Sequence, residues 1–116
     1  MAAQQLLRRG EVWNVDLDPV RGHEQGRRRP CAIVSANAFN RGRHGLVMIC
    51  PITRTEFRTP LHVELPAGEA GLRARSFVLC EQVRTISTDR LVSRLGSLRP
   101  STMTGIDDRL RILLDL

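Results

Sequence analysis

Nine consecutive residues, Gly22-His23-Glu24-Gln25-Gly26-Arg27-Arg28-Arg29-Pro30, bring a histidine, a carboxylate, an amide and three adjacent arginines together. Guanidinium groups grip phosphate through paired N–H donors. Imidazole and carboxylate groups take and return protons. A stretch holding both kinds of group is equipped to bind a phosphodiester and act on it. Two glycines let the chain turn, and strand-like runs flank it. It reads as a loop held at both ends, with Pro30 marking the start of the next ordered segment. Loops on a rigid scaffold are where binding and catalytic groups concentrate.

The charge distribution favours the same region. The chain carries a net +6. Residues 19–54 contain seven arginines (Arg21, Arg27, Arg28, Arg29, Arg41, Arg43 and Arg54) and one acid, Glu24. The other eighty residues balance eleven arginines with eleven acids, so the whole excess sits in one third of the sequence. That segregation is the footprint of a polyanion binder. Gln25, Arg27, Arg28, Arg41, Arg43 and Arg54 are the expected contact residues. All eighteen basic residues are arginine.

Composition narrows the classes. A chain of 116 residues is expected to form one domain, 1–116, with a modest core. Trp13, Phe39, Phe57 and Phe77 are its only aromatics, which argues against a sheet that stacks bases on an aromatic platform. No apolar run reaches membrane-spanning length, and the start lacks a signal-like apolar core. A cytoplasmic protein is expected. Cys31, Cys50 and Cys80 lie in separate apolar segments and read as buried thiols. They and His23, His44 and His62 lack ligand spacing, so no metal or other cofactor is expected.

The elements that must hold the loop follow from periodicity. Residues 1–9 read as a frayed lead-in. Over 10–18, Trp13, Val15 and Leu17 alternate with Val12, Asn14 and Asp16, the pattern of a half-buried strand. Residues 31–35 form an apolar run expected as a central strand. Residues 37–45 read as turn or wide loop. A strand is expected over 46–52, where Pro51 suggests an edge or bulge. Leu61, Val63 and Leu65 alternate with His62 and Glu64 as a half-exposed strand. Strands follow at 76–80 and 82–86, and residues 89–93, after Thr88 as N-cap, read as one helical turn. Pro100-Ser101 starts a helix whose stripe is Met103, Ile106, Leu110, Leu113 and Leu114. The sum is mainly β with a C-terminal helix, read as a small SH3-like barrel.

These residues resemble the MazF/PemK family of toxin endoribonucleases. The resemblance rests on Gly10-Glu11-Val12-Trp13, Asp16-Leu17-Asp18-Pro19, Gly22-His23-Glu24-Gln25-Gly26, Arg29-Pro30, Asn40-Arg41, Pro51-Ile52-Thr53 and Glu81-Gln82-Val83-Arg84-Thr85-Ile86, in order along nearly the whole chain. It implies a CcdB/MazF/PemK-type fold, a homodimer, and metal- and ribosome-independent cleavage of single-stranded RNA. It also implies a cognate antitoxin with an acidic tail.

Cleavage in the family looks like attack of a ribose 2′-OH on the adjacent phosphate. It needs a base, donors for the developing charge, and an acid for the leaving oxygen. The resemblance implies catalytic roles for Arg29, as charge stabiliser, and for Thr53. Glu24 and His23 both stand as candidate base, and Glu24 alternatively pairs with Arg27 or Arg28. Glu81 and Gln82 match an acid–Gln pair near the groove and the dimer interface, and Arg84 reads as a partner of Glu81. Leu79 stands where one branch carries an arginine, which weakens an acid–base role for Glu81. A gyrase poison of the CcdB type and a non-catalytic RNA-binding module are the alternatives. The first would rely on its terminal helix, whose end, Ile112-Leu113-Leu114, reads as buried packing.

Overall fold

The computed structural model describes residues 6–19, 21–24 and 26–116. The chain runs β1 (Glu11–Asp16), β2 (Arg28–Ile33), α1 (Asn37–Asn40), β3 (Leu46–Thr53), β4 (His62–Leu65), β5 (Ser76–Leu79), β6 (Arg84–Ser87), β7 (Leu91–Ser97) and α2 (Pro100–Leu114). The strands hydrogen-bond in the order β4-β5-β3-β2-β1-β7, and β6 also pairs with β3. Every pairing is antiparallel. The result is a curled, barrel-like sheet with one long terminal helix, as the sequence implies.

Period-two alternation sorts the side chains onto two sides of this sheet. Trp13, Val15 and Leu17 pack with Cys31, Ile33, Val47, Ile49, Ile86 and Leu91. Val12, Ala32, Cys50 and Ile52 go to the other side, where Val63, Leu65, Val78, Met103 and Ile106 meet them. Helix α2 starts on Pro100 without a side-chain cap of its own. The buried Glu69 carboxylate substitutes, accepting hydrogen bonds from Arg99 N (3.1 Å) and Thr102 Oγ1 (2.7 Å). The turn carrying Glu69 lies directly on β7. A Cβ on Gly96 would come within 2.6 Å of Ala70 backbone, and one on Gly71 within 2.3 Å of the Leu95 carbonyl oxygen. These two glycines fix the segment leading into β5.

Several expectations need correction, each for a physical reason. Strand β2 begins at Arg28, ahead of Pro30. Pro30 pairs with Asn14 on β1, while the β3 ladder starts at Cys31 opposite Pro51. The missing N–H therefore falls where β2 has one partner. Pro51 marks no edge. It is buried on β3 between the residues paired with β6 (Leu46 to Ile49) and those paired with β5 (Ile52 and Thr53). A strand changing partner there has no ladder bond to lose.

Strand β7 occupies residues that read partly as helical turn. Thr88–Arg90 does form one turn, with Ser87 Oγ accepting from Asp89 N. Strand begins at Leu91, and two register irregularities against β1 erase the clean alternation. Residues 37–40 close a helical turn within the expected loop. His62 is buried, 8% exposed, where alternation predicts an outward residue. Leu7 is buried, and Arg9 is tied to Asn37, Val34 and Asp107. The frayed lead-in is thereby corrected for residues 7–9, while 1–5 lie outside the described residues. Leu113 packs on the core, but Ile112 and Leu114 are exposed, which corrects the expectation of a buried helix end.

Candidate functional site

The β1–β2 connection is fastened at its base. Leu17 N donates to Arg27 O (2.9 Å) and Arg27 N to Asp18 Oδ1 (2.8 Å). The Arg90 guanidinium, coming from the turn before β7, donates to the Asp16 and Asp18 carbonyls. Further out, Arg21 N donates to Glu24 Oε1 (2.9 Å). Gln25 lies outside the described residues.

This anchoring places Arg27, Arg28 and Arg29 along one wall of a cleft of about 420 Å³. Thr53 at the end of β3 and the following Arg54 and Thr55 line it too, with Arg73 ahead of β5 and Ser76 at its first position. Among the described residues lining it, five are arginine and none is acidic. Such a one-signed concavity focuses potential on anions.

Two side chains in this lining carry the chemistry the sequence points to. The Arg29 Nε donates to Gly26 O at 3.0 Å and the residue is half-buried, which fixes the plane of its guanidinium. Thr53 is 6% exposed. Its hydroxyl accepts from Thr55 N at 3.2 Å and keeps its own proton for donation. The β2–β3 register pairs Cys31 with Pro51 and Ala32 with Cys50. Arg29 and Thr53 each lie two residues beyond its last pair, Cys31 with Pro51. A phosphate between them would meet a planar cation and a hydroxyl.

The other residues singled out by sequence assemble elsewhere. His23, Glu24, Glu81 and Gln82 line a second cleft of about 420 Å³, with Arg84. His23, Glu81 and Gln82 also border a third, of about 430 Å³, with Phe57, Thr59 and His62. Two chain segments link the clefts: residues 23–24 lie just before 27–30 at the start of β2, and 57–59 just after 53–55 at the end of β3. Arg41 and Arg43 lie at the opposite end of β3 from Thr53, a strand of eight residues or roughly 23 Å. Both are exposed and far from the arginine cleft.

The ion pairs also differ from expectation. Glu24 Oε2 lies 3.9 Å from Arg84 Nη1, in place of a pair with Arg27 or Arg28. Glu81 Oε2 is 2.9 Å from His62 Nε2, in place of a pair with Arg84. Two buried atoms have no hydrogen-bond partner among the described residues, Arg84 Nη1 and His62 Nδ1. Both belong to residues bordering these clefts. Sequence reading missed Arg73, Phe57 and His62. Arg73 had a signal in the second basic run, Arg73-Ala74-Arg75, which faces the first only after folding. Burial pushes the Cys31 thiol up to about 12. A hydrogen bond with Cys80 and burial push Cys50 up as well. Among the described residues, no group of three or more His, Cys, Asp or Glu is placed to hold a metal. None of their helices is long and apolar enough to cross a membrane.

Comparison with known proteins adds a family. A model described as "PemK-like, MazF-like toxin of type II toxin-antitoxin system" matches residues 8–114. Endoribonuclease MazF9 of Mycobacterium tuberculosis is 37% identical over 117 residues, spanning 96% of this chain and 98% of that protein. Endoribonuclease EndoA of Bacillus subtilis is 34% identical over 112 residues, spanning 96% and 97%. MazF from Deinococcus radiodurans superposes with a TM-score of 0.85 at 29% identity, covering 97% of this chain and all of that one. An endoribonuclease from a mycobacterial species, solved in complex with its cognate antitoxin, superposes with a TM-score of 0.78 at 29% identity, covering 95% and 96%.

Proposed function

The chain belongs to the PemK-like, MazF-like toxin family of type II toxin–antitoxin systems, and from that membership we propose that it is a toxin endoribonuclease acting on single-stranded RNA. The observation that carries the reading is the arginine-walled cleft that Arg29 and Thr53 both line. Relatives that align over nearly the whole chain are named endoribonucleases.

In the reaction, the ribose 2′-oxygen attacks the neighbouring phosphorus and loses its proton to a base. The bond to the 5′-oxygen breaks, and that oxygen gains a proton. The ends are a 2′,3′-cyclic phosphate and a 5′-OH. The Arg29 guanidinium offers donors to the phosphoryl oxygens where negative charge grows. Thr53 supplies a hydroxyl to hold the phosphate or the 2′-OH. Arg27, Arg28, Arg54 and Arg73 bind flanking phosphates. Glu24 and His23, on the loop that leads into β2 and Arg29, remain the candidate bases.

These roles use side chains alone, and the reaction is proposed to need neither metal nor ribosome. An antitoxin with an acidic segment would compete for the same cationic wall, in keeping with the antitoxin complexes of the mycobacterial and Deinococcus radiodurans relatives. A homodimer is proposed as the working form. The test is incubation of a synthetic RNA with purified protein in EDTA. Products that accept a labelled 5′-phosphate directly from a polynucleotide kinase, and a cut abolished by 2′-deoxy substitution at the scissile nucleotide, would support the mechanism. Cleavage that persists at a 2′-deoxy nucleotide would contradict it.

A further inference from the structure

We propose that the cleft of Phe57, His62 and Glu81, which His23 and Gln82 also border, is a nucleobase subsite whose best-matched base is guanine. The inference rests on the RNA-cleaving reading above and names a feature of its substrate. The cleft holds about 430 Å³, a size suited to a small planar group. Phe57 stands at its border with 57% of its surface exposed. The ring meets His62 edge-to-face, at 5.8 Å and 88°. Contact along one edge leaves an aromatic face on which a base can stack.

Glu81 supplies the reading group. His62 Nε2 lies 2.9 Å from Glu81 Oε2, and the imidazole is 5% exposed. The other ring nitrogen, Nδ1, is buried without a partner among the described residues. The carboxylate oxygen accepts in this contact, so Nε2 carries the proton that it donates to Glu81. Glu81 is thus a fixed acceptor, about one-third exposed, with lone pairs to spare.

An acceptor-only group selects among bases by their donors. Guanine presents two parallel donors, N1–H and N2–H, to a carboxylate. Uracil presents one N–H between two carbonyl oxygens, which the carboxylate repels. Adenine and cytosine offer one amino group beside an acceptor nitrogen. Of the four, only guanine gives each carboxylate oxygen its own N–H donor.

The loop bearing Phe57 is held in place before any ligand arrives. Arg75 donates to both Glu64 oxygens (2.8 and 2.9 Å) and reaches Glu56 at 3.3 and 3.4 Å. Arg58 sits at φ +53, a conformation that costs free energy in a non-glycine residue. Phe57 follows Thr53 by four residues, so one chain segment runs from the arginine cleft to this one.

The test uses binding, so that it stands apart from cleavage. Uracil pentanucleotides carrying one guanine at each position in turn are titrated against the Arg29→Ala protein. At one position, guanine should bind roughly 10-fold more tightly than inosine, which lacks the N2 amino group. Glu81→Gln in the same background should erase that difference. Phe57→Ala should weaken binding roughly 10-fold or more at that position. Equal affinity for guanine and inosine at every position, or a preference unchanged by Glu81→Gln, would overturn the proposal. A protein that binds guanine in this way yet cuts no RNA would keep the subsite and refute the nuclease.

Discussion

Arg29 and Thr53 line one cleft from two neighbouring strands, each two residues beyond the Cys31–Pro51 pair at which the ladder between those strands ends. The guanidinium is oriented by the Gly26 carbonyl and the hydroxyl by Thr55 N. If this pair holds the phosphate, Arg29→Ala and Arg29→Lys should each lower the cleavage rate by about 10²-fold or more, the usual loss for one charge-stabilising donor. Lysine fails because it lacks the planar fork. Urea midpoints should stay close to the parent, since Arg29 lies outside both apolar clusters.

Thr53→Val separates chemistry from packing. Valine fits a strand and keeps the shape. It deletes the acceptor for Thr55 N, so stability should fall by about 1 kcal/mol. Cleavage should fall much further, by about 10-fold or more, and Thr53→Ser should restore most of it. Initial rates paired with urea unfolding distinguish the two effects.

The Arg75 clamp predicts an acid-sensitive loop. Its hydrogen bond holds the Glu64 carboxyl below the usual 4.5. A carboxyl with a lowered folded pKa stabilises fully above its unfolded value and loses that stabilisation as pH falls through the folded one. Amide exchange over residues 54–61 should therefore quicken, relative to β3, below about pH 4.5. Glu64→Gln should quicken it at neutral pH and remove much of the acid step.

The core should behave asymmetrically along α2. Ile106 is fully buried between helix and sheet, whereas Ile112 is 70% exposed. Ile106→Ala should cost about 2–5 kcal/mol by urea denaturation. Ile112→Ala should change stability by at most about 0.5 kcal/mol.

Much of this fold is legible in the sequence because local pattern and tertiary burial agree. Trp13, Val15 and Leu17 alternate and are buried together, and Met103 and Ile106 repeat at helical spacing and pack on the sheet. Legibility fails where a long-range partner decides. Pro51 looks like an edge signal, but β3 exchanges β6 for β5 around it. His62 alternates outward on paper and turns inward to Glu81. For the candidate site, Arg27, Arg28, Arg29, Thr53 and Arg54 share a cleft as charge and motif suggest. Glu24 and His23 sit in a neighbouring one, and Arg41 and Arg43 stand apart, because adjacency in sequence does not say which end of a strand a loop occupies.

The most direct measurement is to incubate the protein with a long mixed-sequence RNA in EDTA, map every new 5′-OH end, and repeat with Arg29→Ala. The account predicts discrete cuts sharing a short sequence with the parent, and their loss in a folded Arg29→Ala protein. No cuts by a folded parent, or unchanged cuts by the variant, would contradict it.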